Sequence, residues 1–296
     1  MARADDVILP FEVGGGAVRG RVARLGKAVD DILSAHRFPD LLSALLGEAS
    51  ALAAMLGSAL KFDGKLIFQA QGDGPVSMIV ADYASGGALR ATATAARPIL
   101  SSAYDLSTLL GRGHAAITID QGPDMERYQG VTPIEGGSLS AVAESYFARS
   151  EQIPTALRLA VGRVVEPGGA ERWRAGGIMA QLMPRDSGVN DAIELDGWDR
   201  ARAALKTTQA DELVDPALPP EQLLFRLFHE DGVRAFSPLA VRAECPCSAG
   251  KIEAVLSRYS RDELAEMVEG GAIRVSCEFC RRAYSFDEFG RRREDP

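Results

Sequence analysis

The sequence predicts an α+β fold in three parts, and three observations predict it. In the first 183 residues, apolar runs closed by glycine and proline outnumber helical stretches. The chain then turns acidic: residues 185–231 carry eleven Asp or Glu against five Arg or Lys, a net of −6 in a chain of net charge −8. Finally, all four cysteines of the 296 residues lie beyond position 244. The expected parts are a mixed, sheet-rich domain over 1–183, an acidic helical linker over 184–236 and a small module over 237–296.

Residues 7–24 read as two strands around Gly14-Gly15-Gly16, and 26–36 as a helix. A stronger helix follows. Pro39 suits a first turn, and Leu42, Leu45, Ala49, Leu52, Leu56 and Ala59 recur at three- or four-residue spacing. Its Gly47 and Gly57 predict close contact with a neighbouring element. Residues 65–71 open a strand series, broken by the turn Gly72-Asp73-Gly74-Pro75. Residues 76–83 and 88–94 form a hairpin across Ala84-Ser85-Gly86-Gly87. Residues 114–120 and 128–133 continue the sheet, and 138–149 are helical. Long strands over 156–165 and 172–183 join at Pro167-Gly168-Gly169. Many strands covered by few helices define the α+β class.

The acidic segment has a sparse apolar face. Trp198, Ala201 and Leu205, then Leu223, Leu224, Leu227 and Phe228, fall at helical spacing between Pro216, Pro219 and Pro220. A face this thin cannot hold so charged a segment together, so the N-terminal domain is expected to cover it. In the last part, Ser260 with Glu263 and Ser285 with Glu288 read as two helix capping boxes. About sixty residues with few large apolar side chains need a staple to fold.

Composition narrows the function. The acidic balance argues against a nucleic-acid partner, which selects a basic face. No apolar stretch follows a basic start, so no secretory leader is expected. The apolar run over 41–60 is broken by Ser43, Gly47, Glu48, Ser50, Gly57 and Ser58, and reads as a packed helix, with no membrane partner. A cytoplasmic location follows, where grouped cysteines mean metal or redox chemistry. His36, His114 and His229 are scattered, and His229-Glu230 lacks the second histidine of a metalloprotease helix. The triple glycine lacks the Lys-Ser/Thr of a phosphate loop. Gly136-Gly137-Ser138-Leu139-Ser140 lacks the second glycine of a nucleophile elbow. No acid–base or nucleophile constellation emerges, so an enzyme is not expected.

Chemistry concentrates in Cys245-Pro246-Cys247 and Cys277-Glu278-Phe279-Cys280, twenty-nine residues apart. Four thiolates close a tetrahedral shell around zinc, each pair giving two corners. An inert zinc ribbon would need no more than this. Two features point instead to a site that can be taken apart. A disulfide across a single residue closes a tight, easily reduced ring. Arg274, Arg281 and Arg282 lie close in sequence to the second pair and could offset the charge of a four-thiolate centre, although a solvated surface explains them equally.

Together these residues resemble a known family, the redox-regulated heat-shock holdase chaperones of the thirty-three-kilodalton class. The likeness covers the whole chain. It rests on the two cysteine pairs at this separation, on Tyr146-Phe147 with Ser150-Glu151-Gln152-Ile153-Pro154-Thr155, on Leu223-Leu224-Phe225-Arg226-Leu227-Phe228-His229-Glu230, and on Tyr128-Gln129-Gly130-Val131. The resemblance implies an ATP-independent holdase, inactive while reduced with one zinc per chain on Cys245, Cys247, Cys277 and Cys280. It implies activation by disulfides Cys245–Cys247 and Cys277–Cys280, loss of zinc, unfolding client proteins as partners and a homodimer as the active form. Two other readings stand beside it. One is a zinc-ribbon interaction protein. The other is a thiol–disulfide oxidoreductase using Cys277 and Cys280, although no thioredoxin-like strand–helix pattern surrounds them.

Overall fold

The computed structural model describes residues 5–60, 63–99, 105–122, 125–166, 168–183 and 191–293. They divide into two compact units, which join in sequence at Ala243 and Glu244.

In the first unit, β1 (Val7–Val13) and β2 (Val18–Leu25) form the expected hairpin. Gly14, Gly15 and Gly16 between them all have positive φ, which three side-chain-bearing residues would resist. Helices α1 (Lys27–His36) and α2 (Asp40–Gly57) follow. Next come β3 (Lys65–Gly72), β4 (Val76–Ala84) and β5 (Ala88–Ala95). A short helix not expected from the sequence, α3 (Leu106–Leu110), starts where Asp105 accepts from the Thr108 amide. Strands β6 (Gly113–Asp120) and β7 (Tyr128–Pro133) lead to α4 (Leu139–Tyr146), which runs into a π-type turn at Phe147–Glu151. The two long strands are β8 (Thr155–Val165) and β9 (Glu171–Leu182). Pro167 of the turn between them lies outside the described residues, as does the expected linker start over 184–190. The acidic segment forms α5 (Asp191–Lys206), α6 (Ala210–Val214) and α7 (Pro220–Phe228). Three short strands close the unit: β10 (Val233–Ala235), β11 (Leu239–Ala240) and β12 (Arg242–Ala243).

These strands make two sheets. One has the order β10-β1-β2-β9-β8, with β11 also on β1; the other is β12-β5-β4-β3-β6-β7. Helix α2 packs on β2, β8 and β9 of the first and on β3, β4 and β5 of the second. By length and composition alone α2 could cross a membrane, but 78% of it is buried within the fold. Its glycines explain the close fit. A Cβ at Gly47 would lie 2.9 Å from Val161, and one at Gly57 only 2.4 Å from the Tyr83 ring. The opposite face of the first sheet carries α5, α6 and α7.

The second unit holds α8 (Ala249–Leu256), α9 (Arg261–Glu266) and the hairpin β13 (Ile273–Ser276) with β14 (Ala283–Phe286). Its buried apolar cluster is five residues: Ala249, Leu256, Leu264, Ile273 and Phe286.

Two expectations are corrected here. The compact division falls at 243/244 and not at 236/237, because β10 and β11 pair with β1 while β12 pairs with β5. Of the two expected capping boxes, Ser260 with Glu263 forms. Ser285 with Glu288 does not: Ser285 sits in β14 opposite Arg274, and its carbonyl accepts from the Arg293 amide.

Candidate functional site

The four cysteines converge within the second unit. Cys277 and Cys280 sit on the turn between β13 and β14, where the Cys277 amide donates to the Arg282 carbonyl and the Arg281 amide to the Cys277 carbonyl. Arg281 takes a left-handed φ of 58°, which tightens the turn. Cys245 and Cys247 lie on the extended stretch before α8, whose N-cap Ser248 accepts from the Lys251 amide. The Lys251 ammonium, 2.7 Å from the Pro246 carbonyl, ties the x of Cys-x-Cys to the first turn of the helix.

All four Sγ atoms lie within 4.8 Å of one another, and none of the four is in a disulfide. Cys245 Sγ is 3.7 Å from Cys277 Sγ, and Cys247 Sγ is 3.3 Å from Cys280 Sγ. Four bonds of about 2.3 Å in a tetrahedron put sulfurs about 3.8 Å apart. The set therefore fits a tetrahedral ion of that size with small adjustments, and the soft donors favour zinc among common ions.

Electrostatics divides the thiols. Burial resists ionisation at Cys247, but hydrogen bonds from Tyr284 and from the other three thiols outweigh it and bring the group down to about 7. Tyr284 Oη is 3.1 Å from Cys247 Sγ and donates when that sulfur is a thiolate. Burial prevails at Cys280; the neighbouring sulfurs add to it, and the thiol is pushed up to about 12. Of the three nearby arginines, Arg282 is the one set beside the thiols. Its hydrogen bond to Tyr284, then the Cys247 and Cys280 charges, raise its pKa.

A divalent ion binding here must therefore displace protons. Below pH 7 Cys247 holds its proton, and each proton that the ion must displace weakens binding about tenfold per pH unit. Metal is expected to be retained above about pH 8 and lost progressively from about pH 7 to about pH 5. Dialysis across that range, with released metal read by a chromogenic indicator, checks this. Retention that does not change with pH would mean that the thiols are not the ligands.

The second element of the site is the docked acidic segment. The sequence expected five of its side chains to be covered, and all five are buried: Trp198, Leu223, Leu224, Leu227 and Phe228. They pack with Leu9, Phe11, Val22 and Ile178 of the first sheet, and Phe228 stacks on Phe11 at 5.6 Å. A buried side chain of this kind contributes about 2 kcal/mol.

Sequence reasoning missed how α6 is held. Arg24 donates to the Glu212 and Asp215 carbonyls, and Arg174 to the Val214 carbonyl at 2.8 Å. Arg174 is in turn paired with Asp5 at 2.6 Å. Both arginines are buried, and together they satisfy the C-terminal carbonyls that a helix leaves open. Gly176 on β9 admits the helix: a Cβ there would lie 2.0 Å from the Leu213 carbonyl oxygen.

The mid-chain motif residues also meet. Tyr128 and Tyr146 both donate to Glu151 Oε1, at 2.7 and 2.6 Å. Burial first, and this carboxylate second, hold the Tyr146 hydroxyl protonated. Gly130 leaves room for the Tyr146 ring, which a Cβ would meet at 2.4 Å. This brace ties β7 to the end of α4. Among the histidines, His36 stacks on Phe38 and His229 contacts the Phe225 carbonyl.

Comparison with known proteins gives a consistent result. The family described as "Hsp33 protein" matches residues 6–287. The 33 kDa chaperonin of Caulobacter vibrioides is 47% identical over 97% of this chain and 96% of its own length. That of Shewanella loihica is 35% identical over 95% and 93%. The crystal structure of the Thermotoga maritima 33 kDa chaperonin superposes with a TM-score of 0.80 at 23% identity, over 96% of this chain and 95% of that one, a likeness of fold.

Proposed function

This chain belongs to the Hsp33 protein family, and from that membership we propose that it is a redox-regulated, ATP-independent holdase chaperone. The single observation that carries the regulation is the gathering of all four cysteine sulfurs within 4.8 Å, in a unit whose buried apolar cluster is five residues. Cys245, Cys247, Cys277 and Cys280 hold one zinc ion in the reduced, inactive form. Zinc, when bound, ties the two pairs together and supplies the folding energy that so small a core lacks.

Oxidation then acts on the chain's own sulfurs. Two thiols give up two electrons and two protons to form one S–S bond, and one hydrogen peroxide is reduced to two waters. The pairs Cys245–Cys247 and Cys277–Cys280 need two such steps. Cys247, whose thiol its hydrogen bonds bring down to about 7, is suited to be the first nucleophile of its pair. A sulfur in a disulfide no longer donates as a thiolate, so the second unit loses its staple. The acidic segment loosens with it, baring the apolar face of α7 and the sheet surface around Phe11 and Val22 to unfolding clients.

By role we divide the chain into a core over 1–183, a linker over 184–236 and a switch module over 237–296, whose first residues, up to Ala243, pack with the first compact unit. The active form is a homodimer in the cytoplasm, with neither nucleic acid nor membrane as partner. An oxidoreductase reading is weaker, because Cys277 and Cys280 occupy a β-hairpin turn and not a helix N-terminus, where a low-pKa attacking thiol would be expected. The proposal is tested by mass spectrometry of the native chain. Reduced protein is expected to carry one zinc. Peroxide-treated protein is expected to carry none, to be four mass units lighter than the zinc-free reduced chain, and to yield the two named disulfides on digestion. Zinc kept through full thiol oxidation would overturn it.

A further inference from the structure

Beyond the thiol switch, the first unit contains a cavity of about 520 Å3 that none of this chemistry uses. It lies on the α2 side of the first sheet, beyond the helix end at Ala59. Alternation along β2 places Arg19 and Arg21 on the same face as Ala23 and Leu25, which pack against α2. At Arg19 and Arg21 the cavity takes the place of the core.

Arg21 is anomalous there. Its Nε is buried with no hydrogen-bond partner, and among the described residues its guanidinium has no ion pair. Burial pushes it below the usual arginine range. Arg19 lines the same cavity, is exposed, and also has no ion pair among the described residues. Among the described residues the lining has one carboxylate, and it is already matched: Glu12 pairs with Arg234 at 2.8 Å, and Arg234 lies over the Phe236 ring at 4.8 Å. Among the described residues the lining therefore has two unmatched positive charges, with Phe236 and Met183 as apolar wall. A desolvated guanidinium without a partner is costly, and native proteins keep such a group where something else satisfies it. The volume is that of a small-molecule site.

We infer that this cavity binds a small organic anion, its carboxylate or phosphate group seated between Arg19 and Arg21 and its apolar body on Phe236 and Met183. Both head groups present the paired oxygens that a guanidinium fork grips. This site does not rest on the holdase reading: none of its lining residues belongs to the cysteine set or to the docked linker helices, although Phe11 of the lining also meets the linker, through Phe228.

The test is titration calorimetry on the reduced full chain with five probes: phenylacetate, phenyl phosphate, phenylacetamide, acetate and inorganic phosphate. At least one aromatic anion is expected to bind about tenfold or more tighter than phenylacetamide and than its own small head group. Which of the two binds better identifies the head group. Arg21→Met is expected to remove that advantage and also to raise the melting temperature, because it replaces an unpaired cation by an apolar chain of similar length. A purely structural arginine would instead lower it on removal. Arg21→Lys keeps the charge but loses the fork, and is expected to weaken the aromatic anion while preserving the fold. Equal binding of phenylacetamide, binding of no probe, or unchanged affinity in both Arg21 variants would overturn the site.

Discussion

A Cys247→Ser variant is expected to be purified with less than about a tenth of the wild-type zinc, because three thiolates and a water cannot match a closed four-sulfur shell. The consequence for folding is large. Structural zinc contributes on the order of 10 kcal/mol to small domains. Against that stands a buried cluster of five side chains, Ala249, Leu256, Leu264, Ile273 and Phe286. Such a cluster cannot balance the chain entropy of some fifty residues on its own. The variant is therefore expected to lose amide protection throughout residues 244–293, while the strands of the first unit keep theirs. Any of the other three cysteines is expected to behave alike, since each supplies one corner of the same shell. Full zinc content in Cys247→Ser would show that the ligand set is wrong. Full protection without zinc would show that the unit does not depend on it.

The second large effect is expected in the linker. Leu224 is 1% exposed, among Phe11, Val22 and Ile178. Leu224→Glu would place a carboxylate there with no described cation facing it, a change that costs on the order of 4 kcal/mol. Local opening of the docked segment then becomes far easier than unfolding of the sheet beneath it. Residues 191–231 of the reduced variant are expected to exchange amide hydrogens quickly, with β2 and β9 still protected. The reduced variant is also expected to suppress client aggregation in part without oxidant. If the segment opens and no suppression appears, the bared face is not the client surface. If wild-type residues 191–231 exchange equally fast before and after oxidation, the linker is not the switch.

The parts of this account that the sequence made legible share a feature. That Cys245, Cys247, Cys277 and Cys280 gather into a set able to hold a metal ion follows from ligand type and grouping, which need no tertiary information. The anchors of α7 follow from helical spacing, and their burial against the sheet follows from the charge around them. What stayed hidden depends on contacts distant in sequence. Tyr284 reaches Cys247 because β13 and β14 pair Val275 with Tyr284, and a tyrosine seven residues after Cys277 carries no sign of that. Arg24 and Arg174 lie about 190 and 40 residues from the carbonyls they hold. The strands β10, β11 and β12 have only two or three residues each, too short for any periodicity, and exist through their pairing with β1 and β5. Ser285 with Glu288 shows the converse: the same four-residue pattern that caps α9 occurs in a hairpin, where strand pairing prevails.

Oxidation of the four thiols is expected to turn client binding on. The direct measurement follows aggregation of a heat-unfolding client by light scattering, with reduced and peroxide-treated protein side by side, no ATP, and zinc release recorded in the same samples. Reduced, zinc-bound protein is expected to leave aggregation unchanged. Oxidised protein is expected to suppress it in proportion to the zinc released, and reduction with zinc is expected to return it to the silent form. Equal suppression by the reduced and oxidised forms would contradict the switch, as would zinc release with no gain in suppression.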